Sequence, residues 1–262
     1  HEEASKRNAG VVFLGDFWHH RGTVRIDLLN AVLRALSGWE VPLIMIPGNH
    51  DQVTLGGLEH GLTPLRNAYY VEGDDLVGDD ATRKRRMQPG PMIITHPTKF
   101  KDAFFVPYIR SSRVLDYALA SLPSETASAH FVHVDVSGAY MNDLIVSRSG
   151  SPLSIFPSIG GEGDSPKPIY SGHFHKAHTV TAPKAAPGVA VRYVGSPYQT
   201  SLSEAGQAKE LLVVDASQGW DVVESIPLTI GRRYHRLFSA QDLLRLGVVE
   251  PKDRVVISMT ST

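Results

Sequence analysis

Four short clusters in the 262-residue chain gather residues able to hold a metal or move a proton. They are Gly15-Asp16-Phe17-Trp18-His19, Gly48-Asn49-His50-Asp51, His133 at the end of an apolar run, and Gly172-His173-Phe174-His175. Asp, Asn and His oxygen and nitrogen donors, with no thiolate among them, suit Mn²⁺, Fe²⁺/³⁺ or Zn²⁺ at a hydrolytic centre rather than a structural zinc site. The glycines permit the tight turns such loops need. His173 and His175 stand two apart, so on a strand they would face opposite sides; a turn at Gly172 is required to aim both at one place. Singly, a Gly-Asp after a strand is usually a turn, and a Gly-His-x-His is as readily a pair of surface or core histidines. In this order, each at an apparent strand end, they point to metal-assisted hydrolysis.

The elements that must position these residues follow from the hydrophobic pattern. Residues 8–14 end in the apolar run VVFL before Gly15-Asp16, and 41–46 form a second such run closed by Pro47-Gly48. Both read as buried strands. Between them, Ile26, Leu29, Val32, Leu33 and Leu36 recur at helical spacing within 25–39, an amphipathic helix. A strand–helix–strand unit of this length predicts a right-handed parallel crossover, with its ligands just past the strand ends. Further strands are expected at 92–95, 104–106, 129–134, 169–171, 189–194 and 211–215, and a helix at 112–122. Phe17 and Trp18 suit either base stacking or buried packing beneath the centre. The run Arg83-Lys84-Arg85-Arg86 shares a turn-rich segment with Asp74, Asp75, Asp79 and Asp80; it reads as a solvated loop, or alternatively as a contact to a phosphate backbone. Residues 147–167, rich in Ser, Gly and Pro, read as loop with broken strands. After Pro227 the pattern changes to a short helix and then a strand over 253–262, the opening of a second domain.

Composition sets the outer bounds. Charges nearly cancel, with 26 Lys+Arg against 27 Asp+Glu, so bulk charge argues for no class of partner. The absence of cysteine excludes a disulfide scaffold, a thiol nucleophile and an iron–sulfur cluster. No apolar run approaches the ~18 residues of a membrane span. The charged start HEEASKRNAG does not read as a signal peptide, and there is no Asn-x-Ser/Thr sequon. Together these lean to an intracellular protein, the compartment left open.

The motif series resembles that of the calcineurin-like metallophosphoesterases, whose signature is D-x-H, G-D-x-x-[HDY], G-N-H-[DE], a lone His, and G-H-x-H. Here GDFWH (15–19), GNHD (48–51), His133 and GHFH (172–175) match it, and the resemblance spans residues 8–226. It implies an α/β fold, a four-layer α/β/β/α sandwich of two mixed sheets around a two-metal centre. Within that family, YVGSPYQTSLSEAGQAKELLVVD (193–215), HVDVSGAYMND (133–143) and RRYHRLF (232–238) resemble the SbcD-type nuclease subunits of double-strand-break repair. The domains expected are therefore a metallophosphoesterase domain at 1–228 and the start of a C-terminal capping domain at 229–262. D-x-H is not matched, and the resemblance puts it upstream of residue 1.

The resemblance also implies roles. Asp16 would bridge two divalent ions, with Mn²⁺ expected and Fe or Zn as alternatives. Asn49, His133 and His173 would join Asp16 on one ion, and His175 would serve the other. His50 would stay off the metals and stabilise developing charge or protonate the leaving oxygen, with Asp51 holding its tautomer. His19, rather than its rival His20, would lie near the phosphate. His96 matches no motif, and His60, His130, His178 and His235 read as surface or core histidines. DNA is the expected substrate, with a homodimer and an SMC-like coiled-coil ATPase as partners and no membrane. The rival readings are a phosphatase or phosphodiesterase for small nucleotides or phosphoproteins, and a non-catalytic binding subunit that retains the fold.

Overall fold

The computed structural model describes residues 1–54, 56–67, 90–121, 127–143, 145–156, 167–181, 189–247 and 249–258. The basic run at Arg83–Arg86 lies outside them, as does part of the Ser/Gly/Pro-rich stretch. The chain is a mixed α/β protein that divides into two compact units. One comprises His1–Ser121 with Phe131–His133, the other Leu122–His130 with Val134–Thr262.

In the first unit a short helix, α1 (Glu2–Lys6), precedes β1 (Val11–Phe13). Left-handed backbone at Asn8 (φ 50°) and Gly15 (φ 91°) brackets that strand, which is why it is shorter than its apolar run. Helix α2 (Ile26–Ser37) carries the chain to β2 (Leu43–Met45), which pairs in parallel with β1 and with β3 (Met92–Ile93). The expected parallel crossover is therefore present. Pro42 cannot donate to a ladder, so β2 begins after it, and its carbonyl instead accepts the Val11 N–H at 2.8 Å. Leu29, Val32, Leu33 and Leu36 of α2 pack on a core that includes Trp18, Met45 and Leu65. Each fully buried side chain of this size stabilises by roughly 1.5–3 kcal/mol. Ile26 was expected on that apolar face but sits at the first turn, exposed. The remaining strands are the antiparallel pair β4 (Thr98–Phe100) and β5 (Ala103–Val106), joined through Lys101 at φ 55°. Helix α3 (Ser112–Ser121) buries Leu115 and Leu119. Strand β6 (Ala129–Val132) is divided between the units; its Phe131 stacks on Phe105, and the following His133 N–H donates to Val106 O at 3.1 Å.

In the second unit β7 (Ile169–Ser171) pairs in parallel with β9 (Ala190–Tyr193), and β9 pairs antiparallel with β8 (His178–Thr181). A longer hairpin follows, β10 (Lys209–Asp215) with β11 (Asp221–Leu228), whose turn is closed by the Asp215 carboxylate on the Ser217 amide. Beyond it, β12 (Tyr234–Leu237) and β13 (Arg254–Ile257) pair in parallel, with α4 (Ala240–Arg245) between them in sequence. Strands β4, β8, β11 and β12 escape the sequence reading; the first three are exposed or half-buried throughout, and none has a strong apolar run. Among the described residues no helix is long and apolar enough to cross a membrane.

Tyr193 ties the centre of the second unit together. Its hydroxyl accepts the Val136 N–H and donates to Val134 O, both at 3.0 Å, and the side chain is fully buried. Burial pushes its pKa well above the ordinary phenol range, so it stays a neutral donor. Tyr193→Phe should lower the unfolding free energy by about 1–3 kcal/mol, since it strips the Val136 N–H of its acceptor and leaves Val134 O only the long 3.5 Å contact from the Ser171 hydroxyl. Denaturant unfolding checks this, and an unchanged midpoint would show that those groups find other partners.

Candidate metal centre

The loops after β1 and β2 approach one another closely, and glycine makes the approach possible. A Cβ on Gly15 would stand 2.5 Å from His133 Nδ1 and 2.6 Å from the Gly48 nitrogen. A Cβ on Gly48 would collide with the Asp16 carboxylate and its backbone nitrogen. Asp16 itself adopts a left-handed φ of 59°, a conformation that costs free energy and persists only when its surroundings hold it.

Asp51 supplies that hold. Its buried carboxylate accepts the backbone N–H of Asp16 (2.8 Å), Trp18 (2.9 Å) and Gly48 (2.9 Å), joining both loops. Burial pushes the carboxyl pKa up, and those amides oppose the rise. The expectation that Asp51 fixes the His50 tautomer is corrected here. Its oxygens are committed to backbone amides, and the His50 ring is instead set by the His19 carbonyl, 2.9 Å from Nδ1.

Three of the expected ligands meet in this unit. Asp16 accepts the His50 amide at 2.8 Å through one oxygen and turns the other to His133 Nε2 at 3.3 Å. His133 follows β6; its Nδ1 donates to Leu14 O at 2.6 Å, which leaves a lone pair on Nε2 of the neutral ring. Asn49 Oδ1 is 3.0 Å from the same nitrogen. Three acceptors so close repel one another unless positive charge lies among them, as a proton on Nε2 or as a cation. A hard or borderline divalent ion fits this oxygen and imidazole set. Burial raises the Asp16 carboxyl pKa, but positive charge at His133, with a proton on Nε2, and the His50 amide outweigh it and hold it at about 2. Asp16 is therefore an anion at neutral pH, as a ligand must be.

Beside this group, His50 stacks on His19 with ring centroids 5.6 Å apart and planes 10° from parallel. With Nδ1 donating to the His19 carbonyl, Nε2 is the His50 nitrogen left to accept or deliver a proton. His20 touches the His19 ring edge-on and is exposed. Trp18 is buried, with its indole N–H donating to Gly61 O at 2.8 Å, and Phe17 packs beside it. Of the two readings for these aromatics, packing is the one realised.

In the second unit Gly172-His173-Phe174-His175 leaves β7 as a turn, not a strand. His173 takes a φ of 81°, which breaks the alternation that would have opposed the two imidazoles. Phe174 between them is buried against Tyr193, ring centroids 5.0 Å apart, and so anchors the turn. His175 donates from Nδ1 to Glu204 Oε1 at 2.9 Å. Glu204 was not singled out in the sequence; it lies within the 193–215 stretch, 29 residues from His175, where nothing marks it as a partner of that ring. His60 is buried, His130 is buried with its pKa pushed down to about 4 by desolvation and Lys167, and His178 stacks on Tyr193. His235 lies 3.5 Å from Asp253, and exposed His96 meets its neighbour Thr95.

Comparison with known proteins found no matching protein-family model and no significantly similar curated relative.

Asp51→Asn replaces an anionic acceptor with an amide that has one acceptor oxygen for three buried N–H groups. The unfolding free energy should fall by about 2–3 kcal/mol, measured by denaturant titration. A variant as stable as the parent would mean that the two loops are held by something else.

Proposed function

We propose that this chain carries the phosphoesterase core of a metal-dependent phosphodiester hydrolase, arranged as a calcineurin-like sandwich and acting on DNA in the manner of SbcD-type nucleases. The observation that carries the reading is the facing of Asp16, Asn49 and His133 around one point with His50 alongside. His173 and His175 serve as further ligands, as the motif resemblance implies. When bound, divalent cations neutralise charge on the phosphoryl group and acidify the attacking water. The protein's own groups divide the remaining work. Asp16, anionic at neutral pH, and Asn49, a neutral oxygen donor, fix the centre while limiting the negative charge set against a phosphate. The His19 carbonyl orients the His50 ring, so that Nε2 can hold a proton against the developing charge or pass it to the leaving oxygen. A homodimer bound to an SMC-like ATPase is the assembly this reading implies. Product lengths from labelled DNA, set against release from a panel of nucleotides and phosphopeptides, test the substrate.

Metal-stripped protein titrated with Mn²⁺ should bind one ion tightly and a second weakly. Asp16, Asn49, His133 and His173 serve the first, while only Asp16 and His175 match the family's ligands for the second. Two tight, stoichiometric ions would contradict this division. Replacing His50 by Ala should cost about 2–4 kcal/mol of transition-state stabilisation, roughly 30- to 1,000-fold in kcat, with metal content unchanged. Loss of metal in that variant would make His50 a ligand rather than a proton carrier.

A further inference from the structure

The second unit holds a buried ion pair that the proposed chemistry does not use. Glu204 and Lys209 are both nearly inaccessible to solvent, and Lys209 Nζ donates to Glu204 Oε2 at 2.7 Å. Lys209 also donates to the His175 carbonyl and to Ser196 Oγ, each at 2.8 Å, with Gln207 Oε1 a more distant fourth acceptor at 3.3 Å, so all its protons are matched. Glu204 accepts from the Thr200 hydroxyl and from His175 Nδ1 on its other oxygen. A buried ion pair is costly to desolvate and is weak evidence for stability by itself. This one is fully hydrogen-bonded, and every member touches either His175 or a group that does.

The direction of the Glu204–His175 contact is what matters. An ionised carboxylate is an acceptor only, so Nδ1 must carry the proton and the lone pair must lie on Nε2. The His175 side chain is about half exposed while Glu204 is buried, and Glu204 engages Nδ1 rather than Nε2. Lys209 and the Ser196 amide, both bound to the His175 carbonyl, fix the backbone from which the ring projects.

We propose that Glu204, locked by Lys209 and Thr200, is a positioning residue that holds His175 in its Nδ1–H tautomer and so presents Nε2 as a metal-ligating nitrogen. The tautomer follows from the contacts alone; the ligand role rests on the metal-centre reading above. Carboxylate partners of this kind orient ligating histidines and raise their basicity.

The test is nitrogen-resolved NMR of the histidine rings in the metal-free chain, above the pH at which they protonate. His175 should appear as the Nδ1–H tautomer in the parent. In Glu204→Gln it should shift towards the Nε2–H form that free imidazole favours, while His173 is unchanged. Adding Mn²⁺ should broaden the His175 ring signals, and the concentration required should rise about 10- to 100-fold in Glu204→Gln. Thr200→Val, which keeps the ion pair, should give a smaller shift in the same direction and serves if the first variant does not fold. An Nε2–H tautomer in the parent would overturn the proposal whatever the variants do. So would tautomer and Mn²⁺ response both unchanged in folded Glu204→Gln. A parent with the Nδ1–H form whose His175 ignores Mn²⁺ would overturn the metal reading and the ligand role, leaving the positioning contact standing.

Discussion

The first unit depends on one buried carboxylate. Asp51 draws the backbone amides of Asp16, Trp18 and Gly48 onto two oxygens, so the loop after β1 and the loop after β2 share a single anionic anchor. An unpaired buried carboxylate would be far more expensive than a neutral polar group, so this contact tolerates no partial version. Asp16 can then stay in left-handed backbone with its side chain against His133, and the Asn49 oxygen reaches the same ring. Gly15 and Gly48 supply the complementary condition, since a methyl group at either would push the loops apart.

The second unit solves a related problem by other means. Its two candidate ligands come from one turn, and a buried phenyl ring, Phe174, holds that turn to Tyr193. His175 is then oriented by charge, through a carboxylate that a buried ammonium keeps in place. Burial alone would raise the Glu204 carboxyl; the His175, Lys209 and Thr200 hydrogen bonds outweigh it and hold the group well below the usual carboxylate range. Rigid support of this kind belongs to sites where a fraction of an ångström or a tautomer decides function.

Much of this was legible in the linear sequence. The parallel crossover from β1 through α2 to β2 follows from apolar periodicity, and the positions of Asp16, Asn49 and His133 follow from where those runs stop. The need for a turn at His173–His175 follows from the two-residue period of a strand. What the sequence could not express is burial of charge and the direction of a hydrogen bond. Asp51 reads in sequence as a partner for the adjacent His50, yet chain neighbours need not face one another, and folding turned its oxygens to amides up to 35 residues away. Nothing in the sequence marks Glu204 and Lys209 as a buried pair, because residue type says nothing about desolvation; only packing set them against an imidazole 29 residues upstream of Glu204. Local periodicity and glycine placement thus determined many of the elements and the loops that carry the candidate ligands, while the ligand roles came from the motif resemblance. Tertiary structure decided which acceptor each donor meets, because those contacts join residues whose separation along the chain carries no periodic signal.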